Sequence, residues 1–556
     1  MAYDLTTTSG IDERARKARK RMNKLFSQFA NFRIYCQTIA ELFWPERADF
    51  TVDRTQGVDM QDGLFTGVMQ TMRRDFGNRL GAVTRPPNQQ WFSLVAKPDE
   101  MMKDDSIRYW CDTATRIQRR TLYNRNANYS DAMSISDQDF VTFGNAVTWC
   151  AYNKMQTGLV FRNAHLRDCA WAVNEYGLVD ELYEKIKMPL GHAIRMFGLE
   201  RLPQDWQRRA EKPEGLLEDV TVIRGAIPID PDDYPGYKPP KGKRCAILYF
   251  TDDCKSGESG ALGESYCELF PYNVRRWMPL GEPFGRSLCT TVGLADARSL
   301  NVAEMAALKA IEMVTDPPRW ADDEAVIGEV ELKPGGVTFI DSSSLATGRD
   351  PLGKIEGGDP RYVMEFLVYK RNQMAVQWFE TLWKFPDREM TAYEAAERMD
   401  IMTQDATPVF QPIEADNARQ MDVVFSKISA KNGFPPPPEG LLLSGEADWE
   451  FETPVSASLK RARAMKARNI IDNVMVAKQV WPDFGDNIDR DALEREMLQG
   501  MGPDNWILPA KVVEEQRAAR DEAQRQAQME QDMVEGGKAA LNAKPENLRA
   551  VEQALE

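Results

Sequence analysis

The sequence is poor in the residues that most metal sites and hydrolase sites require. Its 556 residues include only two histidines, His165 and His192, and eight cysteines. The histidines lack H-E-x-x-H spacing, no two cysteines form a C-x-x-C pair, and no G-x-S-x-G motif is present. Zinc sites and serine hydrolases usually show one of these patterns. The sequence therefore predicts no catalytic residue, no metal site and no cofactor.

Long apolar runs are absent too. No run approaches the roughly 20 residues that a helix needs to span a bilayer. The first residues, MAYDLTTTSG, lead into a charged stretch, which is unlike a signal peptide. We therefore expect neither a membrane span nor secretion. The cysteines stand singly among apolar neighbours, which is typical of reduced core residues in a reducing compartment.

The sequence also lacks an excess of positively charged residues. The chain has 70 basic and 85 acidic residues, for a net charge of −15. A protein that holds nucleic acid tightly usually neutralises phosphates with a surplus of Lys and Arg. The balance therefore argues against a tight DNA-binding domain, although a surface past which DNA slides is compatible with it.

What the chain does contain is enough apolar material for a large core. With 13 tryptophans, 24 phenylalanines and this length, two to four packed units are expected. Residues 11–24 hold seven Lys or Arg and two acids. They are either a nucleic-acid arm or the solvated first turns of an amphipathic helix that ends near Trp44. The apolar stripe of that helix is Leu25, Phe29, Phe32, Cys36, Ile39 and Phe43.

A second helix is predicted over residues 62–82, with Gly81 as its cap and Pro86 and Pro87 beyond it. WFSL at 91–94 then reads as a strand, and short segments rich in aromatic and β-branched residues continue to about 285. The apolar residues of the helix are Leu64, Val68, Met72, Phe76 and Leu80.

Two long helices with a small β unit between them are predicted in the middle of the chain. The first spans 286–316 and would be about 37 Å long over its central 25 residues. A hairpin is indicated by GEVELKPGGVTFID, residues 328–341. The second helix spans 361–383, and KFPDRE interrupts it before a capping box begins the next helix at Thr391.

Both long helices have apolar faces. The second helix has two of them, so it can contact more than one neighbour. The face of the first is Leu300, Ala303, Ala307, Ile311 and Val314; the faces of the second are Tyr362, Phe366 and Tyr369, and Val363, Leu367, Met374 and Trp378.

The C-terminal part follows a polyproline linker, Pro435 to Pro438. Helices are predicted over about 456–480 and 489–499. The 46 residues from Lys511 have many Ala and Gln but no apolar face. We expect them to be helical only where they pack against copies of themselves.

One segment imitates a phosphate-binding loop. Gly348, Gly353 and Lys354 match the spacing G-x-x-x-x-G-K, but Ile355 stands where a Ser or Thr must hold Mg²⁺. No strand leads into the segment, and Pro351 interrupts it, so we interpret it as an ordinary loop. A cluster of Asp residues at 230–233 is likewise interpreted as a solvated loop.

Four segments resemble the head-to-tail connecting (portal) proteins of short-tailed, podovirus-type bacteriophages. They are LGAVTRPPNQQWF at 80–92, RWMPLGEPFGRS at 276–287, MTAYEAAER at 390–398 and FETPV at 451–455. The family patterns are T-x-P then W-F, R-W…G-E-x-Y-G-R-x-P, M-T-A-x-E-x-x-x-R and S-P-L. Phe284 and Leu288 depart from the second pattern. The resemblance covers about 60–510 and rests on the order of the segments.

The resemblance implies an α+β, mainly helical fold with the portal-protein architecture. The implied ranges are 1–285 and 391–505 for an α/β wing, 286–316 and 361–383 for two stem helices, 317–360 for a small β-containing clip, 384–390 for a channel loop and 506–556 for a helical crown or barrel.

It also implies partners. Portal proteins form a ring, usually of twelve subunits, at one capsid vertex of the virion, and double-stranded DNA passes through it during packaging and ejection. We expect a homo-oligomer assembled in the host cytoplasm without a membrane. Its implied partners are the large terminase subunit, tail adaptor or nozzle proteins, and the major capsid and scaffolding proteins.

The channel loop supplies the candidate site. Lys384 and Arg388 would make transient contacts with DNA phosphates next to Phe385, while Asp387 and Glu389 would limit their strength. Alternatively, this loop is a solvated connector. Two other functions stay open at this point: a different virion structural protein, such as a tail collar or minor capsid protein, and a nucleic-acid enzyme such as a two-metal nuclease.

Overall fold

The computed structural model describes most of the chain in separate ranges. They are 10–53, 57–58, 60–87, 89–97, 101–102, 104–229, 240–254, 259–315, 319–321, 352–354, 360–380, 412–438, 441, 447–452, 454–478, 489–501, 513 and 516–529. Residues 1–97 and 106–454 form one compact unit, and residues 98–105 and 455–556 form another. No helix among these described ranges is long and apolar enough to cross a membrane.

Helices make up the larger part of the described structure, which confirms the α+β, mainly helical prediction. The helices longer than one turn are α1 (Ile11–Gln28), α2 (Ala30–Phe43), α3 (Val68–Thr84), α4 (Asp105–Leu122), α5 (Tyr129–Phe143), α6 (Leu190–Phe197), α7 (Gln204–Ala210), α8 (Leu288–Thr315), α9 (Pro360–Gln377), α10 (412–429), α11 (Pro454–Lys478), α12 (Arg490–Met501) and α13 (516–529).

Four antiparallel sheets accompany them. The largest has the order β4-β5-β6-β7-β8, a simple meander; the others are β3-β2-β9, β1-β12 and β10-β11. The strands are β1 (Phe92–Ala96), β2 (Asn145–Tyr152), β3 (Leu159–Ala164), β4 (Cys169–Val173), β5 (Val179–Pro189), β6 (Asp219–Pro228), β7 (Cys245–Phe250), β8 (Ala261–Cys267), β9 (Tyr272–Arg276), β10 (Arg319–Ala321), β11 (Leu352–Lys354) and β12 (Ala447–Phe451).

The first predicted helix is confirmed, with one break. The chain forms α1 and α2, separated at Phe29, and all six residues of the predicted stripe are buried. The expectation that residues 11–24 are solvated is wrong for Arg14. Its guanidinium is buried and lies 2.8 Å from the carboxylate of Glu264. A pairing across 250 positions anchors α1 to the large sheet.

The second predicted helix has the wrong bounds. It begins at Val68, not at 62, and it ends at Thr84 instead of stopping at Gly81. Its most buried residues are consequently displaced from the predicted stripe. Phe76 and Leu80 are buried as predicted, but Met69 replaces Val68 on the buried face. The predicted strand after it is confirmed as β1, which pairs with β12.

A small β ladder lies between the long helices, and one of its strands falls within the segment 348–354, so the prediction of an ordinary loop is wrong for residues 352–354. Arg319–Ala321 pairs antiparallel with Leu352–Lys354. Lys354 therefore lies on a strand instead of opening a helix, which agrees with the rejection of a phosphate-binding loop. The predicted hairpin at 328–341, the Asp cluster at 230–233 and the capping box at Thr391 lie outside the described residues.

The unit that contains residues 455–556 is helical where it is described. The helices predicted over 456–480 and 489–499 correspond to α11 and α12. The guanidinium of Arg517, at the start of α13, lies 2.6 Å from the carboxylate of Asp491 on α12. The side chains of α13 are exposed throughout. No side chain of this helix is covered by the part of the chain that the structure describes.

Candidate functional site

The residues that the sequence singled out lie outside the described structure. Lys384, Phe385, Asp387 and Arg388 follow the last described residue of that region, Glu380. The structure does describe the two long helices, α8 and α9, that come before this segment in the chain. We call these two helices the helix pair.

The two helices are antiparallel and are joined by polar contacts. The carboxylate of Asp296 accepts hydrogen bonds from Lys370 at 2.8 Å and from Gln377 at 2.6 Å. The hydrogen bonds from Lys370 and Gln377 hold the pKa of Asp296 below its usual range. Arg371 pairs with Glu304 further along the helices. Two of the five cationic side chains of the helix pair are thus held in ion pairs within it.

Small residues let the helices approach closely. Gly293, Ala297 and Ala307 of α8 are buried, and they face the side on which Leu367 and Met374 of α9 are buried. A Cβ added to Gly293 would lie 3.2 Å from the side-chain oxygen of Gln377. The contact is therefore tight, and even an alanine at this position would require the side chain of Gln377 to shift by a few tenths of an ångström.

The end of α9 is fixed by an aromatic cluster. The indole of Trp378 is fully buried, with its ring centre 5.3 Å from that of Phe43 and 6.4 Å from that of Phe76. Phe379 has φ +53°, in the left-handed region, and stacks on Phe76. The predicted continuation of this helix to Trp383 is therefore wrong, because a left-handed residue cannot continue a right-handed helix.

The start of α8 is fixed by the segment RWMPLGEPFGRS. Trp277 is buried and stacks on Phe140 with ring centres 5.1 Å apart. The side chain of Asn145 both donates to and accepts from the backbone of Gly285, at 2.8 and 2.7 Å. A Cβ at Gly285 would lie 2.4 Å from the carbonyl oxygen of Trp277. This explains why the motif has glycine there.

One motif segment and the residue that precedes another meet at one buried carboxylate, that of Asp137 on α5. It accepts hydrogen bonds from Arg85, which follows α3, and from Arg275 on β9, the latter at 2.7 Å. All three side chains are almost fully buried. The Asp137 charge contributes to raising the pKa of Arg85 against the desolvation that opposes it. Asp137 was not predicted from the sequence; the signal was a run of four consecutive polar residues, Ser136 to Asp139, in the middle of α5.

Most of the outer surface of the helix pair is apolar. Among the described residues, twelve of its large apolar side chains are at least two-fifths exposed. They are Val292, Val302, Leu308, Ile311, Met313 and Val314 on α8, and Tyr362, Met364, Phe366, Val368, Tyr369 and Val376 on α9. Of the two predicted faces of α9, the one with Leu367, Met374 and Trp378 is packed, and the one with Tyr362, Phe366 and Tyr369 is exposed.

One of the two histidines, His165, has structural partners. His165 accepts a hydrogen bond from the backbone of Arg167 through Nδ1, and its Nε2 lies 2.9 Å from the carboxylate of Asp49. Within the described part of the chain, no group of three or more His, Cys, Asp or Glu side chains is arranged to hold a metal ion.

Comparisons with known proteins agree with these features. The sequence profile of the family described as "Bacteriophage head to tail connecting protein" matches residues 15–508. The probable portal protein of Bordetella phage BPP-1 is 20% identical over 517 residues, which cover 91% of this chain and 92% of that protein. The portal protein of Salmonella phage epsilon15 is 22% identical over 555 residues, covering 95% of each. A chain from the virion of a native gene transfer agent particle aligns with 75% of this chain and 90% of its own length, at 9% identity and a TM-score of 0.36.

Proposed function

The chain belongs to the family of bacteriophage head-to-tail connecting proteins and has the portal function, and from that premise we propose how its described elements perform it. Copies of the chain form a closed ring, of twelve subunits by analogy with the family, at one capsid vertex. The helix pair forms the wall of a conduit for double-stranded DNA during packaging and ejection.

The observation that carries this proposal is the apolar surface of the helix pair. Monomeric proteins seldom expose a continuous apolar patch of this extent. Burial of twelve half-exposed side chains would contribute on the order of 1 kcal/mol each, enough to offset the association entropy of one subunit. The occupant we propose is the helix pair of the next copy, because a repeated head-to-tail contact forms a ring when the rotation between successive copies closes.

The polarity of the wall suits passage without tight binding. At 1.5 Å per residue, the 28 residues of α8 extend about 42 Å, and duplex DNA presents one charge per ~1.7 Å, hence on the order of 25 phosphates. The helix pair has five cationic and four anionic side chains, and Lys370 and Arg371 are held in ion pairs, so its net charge is close to zero. Together with the net charge of −15, this favours sliding over adhesion.

The segment after α9 is proposed as the constriction of the conduit. Lys384 and Arg388 would make transient phosphate contacts beside Phe385, and Asp387 would weaken them. This role is supported by the burial of Trp378 and the left-handed φ of Phe379, which fix the position at which the chain leaves α9. The wing (1–285 and 391–505), the clip (317–360) and the crown (506–556) are assigned here on the same family analogy.

The partners follow from the proposed position at the vertex. The clip would dock the large terminase subunit and later the tail adaptor or nozzle proteins, and the wing would face the major capsid and scaffolding proteins. Assembly would take place in the host cytoplasm before DNA enters. The chain would act as a passive channel without catalysis, so that the energy for packaging comes from the terminase.

Negative-stain electron microscopy of the purified chain tests the proposal. We expect closed rings with a central hole as wide as duplex DNA. A tail collar or minor capsid protein need not form such rings. A discrete monomer with metal-dependent nuclease or ATPase activity would overturn the proposal in favour of a nucleic-acid enzyme.

A further inference from the structure

A pocket outside the helix pair has an unusual charge for this acidic chain. Its volume is about 270 Å³, and it lies among the β2–β3 hairpin, the outer end of β7 and β8, and helix α10. Three lysines line it, Lys243, Lys427 and Lys431, together with a single carboxylate, Glu268. The pocket therefore has two more positive than negative charges in a chain whose net charge is −15.

Glu268 pairs directly with only one of the three ammonium groups, although the charge of Lys427 also acts on it. Its carboxylate accepts hydrogen bonds from Lys243 and from the hydroxyl of Ser426, both at 2.8 Å. These bonds hold the pKa of Glu268 below its usual range, which keeps it ionised at neutral pH. Lys243 and Glu268 thus form an ion pair, and the excess positive charge of the pocket comes from Lys427 and Lys431.

The other two ammonium groups face neutral partners. The Nζ atom of Lys431 lies 2.5 Å from the side-chain oxygen of Gln156 and 4.4 Å from the ring centre of Tyr152. The hydroxyl of Tyr152 donates at 2.6 Å to the backbone carbonyl of Lys427, which fixes the helix end against the hairpin. Lys427 is half-buried, and its ammonium donates no hydrogen bond to any of the described residues.

We propose that this pocket, between Lys427 and Lys431, binds a phosphate group. Two uncompensated ammonium groups match the charge of a phosphate dianion, and lysine binds phosphate as a point charge. Gln156 and Ser426 add neutral polar side chains to the lining of the same pocket. The phosphate comes from one of two sources, a free anion or the backbone of DNA, and the chemistry of recognition is the same for both.

The test is a binding titration on the purified full-length protein, with ionic strength held constant by NaCl. Sodium phosphate is the first probe and a 20-base-pair DNA duplex is the second, both followed by isothermal titration calorimetry. We expect saturable binding, which Lys427→Gln weakens by about tenfold or more because it removes a charged hydrogen-bond donor. Binding of phosphate alone identifies a free anion as the source, and binding of the duplex alone identifies the DNA backbone.

Two further variants make the result specific. Lys187→Gln removes the same charge from an exposed lysine on β5 and should leave binding unchanged. Glu268→Gln should strengthen binding several-fold, because it releases Lys243 toward the pocket, and a variant that had merely unfolded could not bind more tightly. The proposal is overturned if neither probe saturates the wild-type protein, or if Lys427→Gln binds like wild type.

Discussion

The carboxylate of Asp137 lies 2.7 Å from the guanidinium of Arg275, although the two residues are 138 positions apart in the chain. The same carboxylate pairs with Arg85 from a third segment. One buried negative charge thus holds together α3, α5 and β9. Arg85 lies in one of the segments that carry the likeness to portal proteins and Arg275 immediately precedes another, so this contact connects the family pattern to the fold.

Asp137→Asn should destabilise the protein strongly. It leaves two buried arginines without their counter-charge, and loss of one partner of a buried ion pair costs about 3–5 kcal/mol. Thermal unfolding should show a markedly lower Tm. The matched control is Glu13→Gln, which removes a carboxylate from an exposed pair with Lys17 and should leave the Tm unchanged. Equal Tm values for the two variants would refute the role of Asp137.

Asp416 should make stability fall as the pH rises. Burial raises its pKa to about 6 against the pull of Arg275, Arg419 and Arg276. The folded protein therefore retains a proton that the unfolded chain has already released, and stability declines between about pH 4 and pH 6. Asp416→Asn should remove this decline and raise the Tm at pH 7.5.

The pH profile of the Tm is the measurement for Asp416. Its partner Arg419 is half exposed, so water replaces the lost ion pair at little cost. Asp472→Asn, at an exposed position on α11, is the control and should keep the wild-type profile. A variant Asp416→Asn with the wild-type slope between pH 4 and pH 6 would contradict the prediction.

The apolar face of the helix pair should be required for assembly. Phe366→Glu or Ile311→Glu would place a charge in the proposed contact between copies, and desolvation of that charge should shift the population from rings to single chains. Mass photometry measures this distribution directly. Tyr176→Glu changes an exposed aromatic residue in the β4–β5 turn and should leave rings intact. Rings of normal mass from Phe366→Glu would disprove the interface.

Charge in the channel loop should affect DNA and not assembly. In the double variant Lys384→Gln/Arg388→Gln, we expect rings of normal mass but altered DNA packaging or retention, because the transient phosphate contacts are lost. In vitro packaging followed by nuclease protection measures both. If this variant assembles, packages and retains DNA like the wild type, the loop is only a connector.

Thiol labelling should distinguish the cysteines by burial. Cys254 and Cys267 are half-buried, and the other six are buried. Burial raises the pKa of Cys111 to about 11, and that of the other buried thiols further, so few thiolates exist at pH 7. Mass spectrometry after maleimide treatment should find at most two labels on the native chain and eight after denaturation. More than two labels on the native chain would be inconsistent with this packing.

The local sequence patterns predicted which segments form helices better than they predicted the residues at which those helices end. The stripe from Leu25 to Phe43 became a buried face in full, because helical spacing alone decides which residues share a face. The end of α9 could not be predicted, since the positive φ of Phe379 arises from its packing on Phe76 and not from its residue type. The buried pairing of Arg14 was also invisible, because its partner lies 250 positions away.

The same limit applies to the sites. The amino-acid pattern separated the two faces of α9, but only the packing of Trp378 shows which face is left for a neighbour. The lysine pocket combines residues from three distant segments, and no spacing in the sequence connects Lys243 to Lys427 and Lys431. Long-range juxtapositions of this kind depend on the topology of the sheets, which local spacing does not determine.

The buried indole at the end of α9 also limits how this helix can change its length. To extend α9 by one turn, Trp378 would have to leave its place beside Phe43 and Phe76, and removing a large aromatic side chain from a core costs about 3–5 kcal/mol. That is several times the thermal energy of about 0.6 kcal/mol at 298 K. The packing of Trp378 therefore holds the end of α9 as a fixed post in every copy of the chain.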